Sequence, residues 1–487
     1  MVKKGNIFLL IKSLSKSEKR YFKTGLGEKA INKNYLKLFN IIDKQTVYNE
    51  NEIKKVFKEE KFVKQLHVTK IYLTELILKS LRNYHSNKSI NSKIINLLND
   101  LEILFEKELY DLVYYRIKKA EEVALEYERL PYLLEILNWK RKLYKTKTGC
   151  IEREGSDLVK QENETIKKLY ALNDYWNLTL KIYDYTANKK SFKNNPLLKN
   201  EKYATTLQSK ILHYHILFTT NLINGNSQAA IDSITKLIEL LEEHPNRITD
   251  DPGAYATALS NKISFLLVSK EWDKIPELIK KVREIPATYK LNSKSKFTVR
   301  LWVRLFNIKL EMYRDKKDIA RGIVLIKEIQ EFIEQHNQAV PDEYLLFFYY
   351  QFAYMFFLNK DHSKSLLWLN EIMNRNFGRL HEDVQSYARI LGLIIHFELN
   401  NIIVLRYAVV SCRRFLKKKK NLQEFETILL RFFSRLSTVR KDEYAELFRN
   451  FYKNLFGGEE IKVSDNVLDY IDIKSWLESN INKMQNY

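Results

Sequence analysis

Cysteine is nearly absent from this 487-residue chain: Cys150 and Cys412 are the only two, far apart and outside any Cys-x-x-Cys pair. That excludes a secreted disulfide framework and favours a reduced, cytoplasmic home. Helix breakers are scarce too, with 12 Gly and 7 Pro, so long helices with short connections are expected. No apolar run reaches the roughly 18 residues of a membrane-spanning helix. The most apolar stretch, residues 344–358, contains Gln351 and reads as a buried helix. Residues 1–14 carry Lys3 and Lys4 before Ile7-Phe8-Leu9-Leu10-Ile11. Lys12 ends that run short of a signal-peptide core, and no small-residue cleavage site follows.

Motifs that carry chemistry are missing as well. There is no His-Glu-x-x-His, and His213 and His215, two apart, point in different directions on a helix, so no metal site is expected. Gly-x-x-x-x-Gly-Lys-Ser/Thr and Gly-x-Ser-x-Gly do not occur. Gly25, Gly27 and Ala30 match a dinucleotide-binding turn only in letters, because no strand precedes them. Cys150 has no local base and reads as a small buried hydrophobe. His381-Glu382-Asp383 reads as a helix start, where acidic side chains favour the macrodipole. No cofactor, no small-molecule substrate and no catalytic residue is expected.

What is present is helix. Hydrophobic residues make up 45% of the chain and aromatics 13%, ample for a packed interior. Short polar hinges recur: Asn224-Gly225-Asn226, Lys270-Glu271, Asp315-Lys316-Lys317, Lys360-Asp361-His362 and Asn400-Asn401. Their spacing is about 45 residues, then about 40, and each separates two apolar helical runs. One such pair cannot bury its apolar stripe without neighbours, so the expected fold is all-α, an α-solenoid of helix pairs. Longer loops are expected at 244–253, 286–295, 337–341 and 376–381, with breaks at 149–155 and 188–196. Pro131 fits the first turn of a helix, and Ser15 with Glu18 has capping-box spacing. Small residues at Ala353 and Ser365 let the two helices of one pair approach. Three parts are expected: a basic helical head over 1–88, helix pairs over 89–455, and a hinge at Gly457-Gly458 leading to an acidic helix over 467–484. That last helix carries Leu468, Ile471, Trp476, Leu477 and Ile481. It either covers the open edge of the last pair, swings out to a partner, or folds onto a basic cluster.

The Ala353 and Ser365 arrangement resembles a tetratricopeptide helix pair. Longer runs carry a more specific resemblance: Leu10-Ile-Lys-Ser-Leu-Ser-Lys-Ser-Glu-Lys-Arg-Tyr-Phe-Lys23, Phe62-Val-Lys-Gln-Leu-His-Val-Thr-Lys70 with Leu78-Lys-Ser-Leu-Arg82, and Tyr387-Ala-Arg-Ile-Leu-Gly-Leu-Ile-Ile-His-Phe-Glu-Leu-Asn400. Together they resemble a family of large tetratricopeptide-like proteins of Bacteroidota bacteria, over most of the chain. The resemblance implies a helical-repeat fold and cytoplasmic residence, and brings no catalytic residues.

Charge is uneven. The net charge is +22, and residues 1–100 hold 21 Lys/Arg against 9 Asp/Glu. Residues 402–455 hold 13 against 5, while the body between them is nearly balanced. Two basic features stand out. Arg413, Arg414, Lys417, Lys418, Lys419 and Lys420 crowd the end of one helix, which opposes folding unless anions screen or bind them. In the head, Lys64, His67, Thr69 and Lys70 lie at the start of a helix that loosely resembles the second helix of a helix-turn-helix. No Gly marks the turn, and Ile71, Leu73, Leu76, Ile77 and Leu78 suit a buried packing helix better. Two functions remain open. One is a non-enzymatic scaffold holding a protein or peptide in a groove lined by first helices, with Arg300, Arg304, Tyr313, Tyr350 and Tyr354 as anchors. The other is nucleic-acid or ribosome binding through the basic head and the Arg413 to Lys420 cluster.

Overall fold

A computed structural model describes residues 6–25, 34–146, 155–185, 195–293, 295–336, 339–419, 424–456 and 471–485. Ala30, Cys150, Lys420, Gly457, Gly458, Val467 and Leu468 lie outside them, as do most of the breaks expected at 149–155 and 188–196. Among the described residues every regular element is a helix. The chain divides into two compact units, one of residues 1–225 with 244–250, the other of 226–243 with 251–487.

The first unit begins with α1 (Asn6–Ser13), α2 (Lys16–Gly25), α3 (Asn34–Lys44), α4 (Glu50–Val56) and α5 (Leu66–Tyr84), the last preceded by a 3-10 turn over Lys61–Gln65. Ile7, Ile11, Phe22, Phe39, Ile42, Leu73 and Ile77 form their common core. The capping box at the start of α2 is present: the Ser15 N–H donates to Glu18 Oε2 at 2.7 Å, and the Glu18 N–H to Ser15 Oγ at 3.2 Å. Helices α6 (Ile90–Glu106), α7 (Tyr110–Glu126), α8 (Leu130–Lys145) and α9 (Gly155–Tyr185) follow. Pro131 falls in the first turn of α8, where its missing N–H costs nothing. Then come α10 (Pro196–Lys199) and α11 (Leu207–Ile223). The Glu128 carboxylate accepts from the Leu207 and Gln208 N–H groups at 2.8 and 3.0 Å and so caps α11.

The second unit contains α12 (Ser227–Glu242), while α13 (Pro245–Asp250) belongs to the first. The stretch 244–253 is therefore not the open loop expected from its Pro and Gly. Its Asp250 accepts from Arg129 and Arg247 at 2.5 and 2.8 Å, an ion-pair cluster no local pattern announces. Pairs then follow in order: α14 (Pro252–Val268) with α15 (Ile275–Thr288), α16 (Lys296–Asp315) with α17 (Ile319–His336), α18 (Asp342–Leu358) with α19 (His362–Asn374), and α20 (Glu382–Glu398) with α21 (Ile402–Lys419). Pro286 sits inside α15 rather than opening a loop. After them come α22 (Glu424–Leu436), α23 (Tyr444–Phe456) and α24 (Ile473–Gln485).

One backbone device builds the hinges. Glu108, Glu128, Lys270, Lys317, Lys360 and Asn400 all have left-handed φ between +48° and +60°. In each case the N–H of the next residue reaches back five residues, as Asp361 does to the Phe356 carbonyl at 2.9 Å and Asp318 to Tyr313 at 2.8 Å. That closes the first helix with a Schellman motif. Asp361 then caps the second helix, its side chain accepting from the Lys364 N–H at 3.1 Å. Two residues thus stop one helix and start the next.

First and second helices differ in exposure. Helices α18 and α20 pack against the preceding or following first helix as well as their own partner, so they are apolar nearly all round. Ser365 Oγ donates to the Ala353 carbonyl at 2.5 Å, the close approach that the two small residues allow. Gly322 of α17 lies against the terminal methyl of Met355, which would have to move to admit a Cβ.

Candidate functional site

The face of α16 that looks along the row of first helices is polar. Arg300, Arg304, Asn307, Glu311 and Arg314 follow one another at spacings of four and three, on one stripe of the helix. Neighbouring first helices meet that stripe from both sides. Arg304 Nη2 donates to Asn261 Oδ1 of α14 at 2.8 Å, and Gln351 Nε2 of α18 donates to Asn307 Oδ1 at 2.6 Å. Asn307 Nδ2 in turn donates to Glu311 Oε1 at 2.8 Å. Burial pushes the Glu311 carboxyl above the usual carboxylate range, with Arg314 opposing. Burial likewise lowers the Arg304 guanidinium, which among the described residues donates to the neutral Asn261. Gln351 is 5% exposed, yet its Oε1 has no hydrogen-bond partner among the described residues.

The five groove residues singled out from sequence separate into two groups. Arg300 and Arg304 share the polar stripe, Arg300 exposed and Arg304 half-buried. Tyr313 is on the opposite side of α16, beneath the Arg321 guanidinium of α17. Tyr350 and Tyr354 are core residues, their rings parallel and 6.4 Å apart. The Tyr354 hydroxyl accepts from the Asp472 N–H at 3.1 Å, just before α24. Both rings are occupied by the interior and unavailable to a partner in this conformation. Gln351 stands out in sequence only as a polar residue in an apolar run, and Asn261 and Asn307 not at all, because a lone amide on a helix carries no signal until its neighbour across the helix row is known.

In the head, Lys64 and His67 are exposed, while Thr69 bonds back to the Gln65 carbonyl at 3.3 Å. Lys70 is tied down, its amino group 2.8 Å from Glu50 Oε2 and 3.2 Å from the Tyr48 hydroxyl. Those four residues do not present one continuous basic surface. Leu73 and Ile77 are buried as expected for a packing helix, but Val68, Ile71 and Tyr72 are exposed.

The basic cluster lies on α21. Arg413, Arg414, Lys417 and Lys418 are exposed and have no ion-pair partner among the described residues; the Lys419 side chain and Lys420 are outside them. Inward, Leu405, Val409, Cys412 and Leu416 are buried. Burial pushes the Cys412 thiol up to about 12, against the nearby Arg389, so it is held as an inert thiol.

At the C-terminal end, Trp476 of α24 packs among Phe397, Phe432, Phe433 and Phe448. Its indole N–H donates to Glu398 Oε1 at 2.7 Å, which also accepts from Asn480 at 3.1 Å. An open cleft lined by Arg449, Tyr452, Glu478, Ile481 and Asn482 is crossed by a hydrogen bond from the Tyr452 hydroxyl to Glu478 Oε1 at 2.8 Å. Among the described residues no three His, Cys, Asp or Glu side chains gather as metal ligands, and no helix is long and apolar enough to cross a membrane. No family model, curated protein or solved structure matches the chain.

Proposed function

We propose that this protein is a non-enzymatic, cytoplasmic adaptor of the tetratricopeptide-like helical-repeat type, related to the Bacteroidota proteins its sequence resembles. Its helix pairs stack as a solenoid, and a peptide or protein segment binds along the first helices of the second unit. The observation that carries this reading is the polar stripe Arg300, Arg304, Asn307, Glu311 and Arg314, with Asn261 and Gln351 converging on it. A row of first helices otherwise buried in apolar contacts has no packing need for five polar side chains in line. A partly desolvated guanidinium, amide donors and acceptors, and the unpaired Gln351 Oε1 suit a main chain and its acidic side chains.

Affinity isolation of the tagged chain from its own cell lysate, nuclease-treated, tests this. Alongside it run Arg300→Glu and Arg304→Gln variants whose circular dichroism matches wild type. A protein recovered by the wild-type chain and lost from both variants supports the groove. Equal recovery by all three chains removes the stripe from the function.

A further inference from the structure

The outward face of α21 bears a second binding surface, separate from the first-helix stripe. Ile403, Tyr407, Val410, Arg414 and Lys417 succeed one another at spacings of four, three, four and three, which is one straight seam on a helix, about 21 Å long. It lies opposite the buried seam of Leu405, Val409, Cys412 and Leu416. Ile403 is 76% exposed, Tyr407 73% and Val410 55%. A folded chain gains nothing from three large apolar side chains set in line in water. Directly beyond them come the exposed cations Arg414 and Lys417 of the same seam, flanked by Arg413 and Lys418, none with an ion-pair partner among the described residues.

We propose that this seam docks an amphipathic helix of a partner protein, acidic over its first turns and apolar over the turns that follow. The apolar residues fill the Ile403–Tyr407–Val410 half, and the carboxylates pair with Arg414 and Lys417. Direction follows from charge. Acidic residues are favoured in the first turn of a helix, so a partner whose first turn meets the C-terminal half of α21 runs antiparallel to it. A second copy of this chain fits poorly. Parallel pairing sets cations against cations, and antiparallel pairing sets Arg414 and Lys417 against the apolar half of the other copy. An anionic membrane also fits less well, because apolar and cationic side chains stand at the same height on one face. Sinking the first into hydrocarbon carries the second with it.

The test is fluorescence anisotropy on the full chain with a labelled synthetic peptide of about 20 residues. Its first two turns carry Glu, and Leu recurs at spacings of three and four thereafter. A second peptide has Lys in place of each Glu. Saturable binding of the acidic peptide is expected, weakened about tenfold or more by Arg414→Glu with Lys417→Glu, and similarly by Tyr407→Ser. The Lys peptide should prefer the doubly substituted chain over wild type. Arg414→Gln with Lys417→Gln gives the same direction with least risk to the fold. Equal binding of the Glu and Lys peptides by the wild-type chain overturns the proposal. So does binding to oligouridine or to phosphatidylglycerol vesicles without binding to the acidic peptide, and so does concentration-dependent dimerisation abolished by Tyr407→Ser.

Discussion

Glu50 illustrates how one side chain settles what a stretch of sequence is for. In the chain it opens α4 within an Asn-Glu-rich stretch, and Lys70 belongs to a basic helix start. In space the two meet at 2.8 Å, with Lys54 at 3.1 Å from the other carboxylate oxygen. The hydrogen bonds from Lys70 and then Lys54 hold the Glu50 carboxyl down at about 2. A carboxylate depressed in the folded state contributes stability above its unfolded pKa of about 4.3, and loses it as pH falls through the folded value. Glu50→Gln should therefore cost the chain roughly 1 kcal/mol at neutral pH, because the pair is partly solvent-screened. Melting curves of both chains should converge as pH drops from about 4 towards 2. A gap that stays constant across that window would mean Glu50 acts through packing and not charge.

Among the elements, the hinges were legible and their mechanism was not. Polar dipeptides between apolar runs marked all five turns, but glycine stands at the left-handed position in Gly225 alone of those five. Lys270, Lys317 and Lys360 hold the same conformation without it, each fixed by a bond five residues back. A side chain there costs about 1 kcal/mol relative to glycine, less the chain entropy that glycine loses on folding. Lys→Gly at any of the three is expected to stabilise by about 0.5 kcal/mol, and Lys317→Val to destabilise, both read as shifts of the denaturant midpoint. A loss on Lys→Gly would show that the lysine stem contributes more than its backbone strain. The loop expected at 244–253 is replaced by α13 and the first turn of α14, whereas the one expected at 286–295 lies between Thr288 and Lys296 and only starts later than expected. Proline is tolerated in a first helical turn, as Pro245 and Pro252 show, and Pro286 is accommodated near the end of α15.

For the second unit as a whole, α24 is the informative case. Three dispositions of that segment were compatible with its sequence. Ile471, Ile473, Trp476, Leu477 and Asn480 are buried, and Trp476 joins residues of α20, α22 and α23 in one core. Trp476→Ala should cost about 3–5 kcal/mol and lower the unfolding midpoint of the second unit. A loss below about 1 kcal/mol would mean that α24 rests on that unit without being part of its core.

The sequence by itself determined the helical class, the period of the pairs, their hinges, the cap at Ser15 and the helix start at Pro131. Those are local: periodicity, turn chemistry and capping act within a few residues. Only tertiary structure decided which polar residues of α16, α14 and α18 meet, that Tyr350 and Tyr354 are interior, that Lys70 is paired, and that the outer seam of α21 is exposed among the described residues. Each of those depends on what lies across a helix interface, and contacts between residues more than 40 positions apart, such as Gln351 with Asn307, leave no trace in the order of residues along either helix.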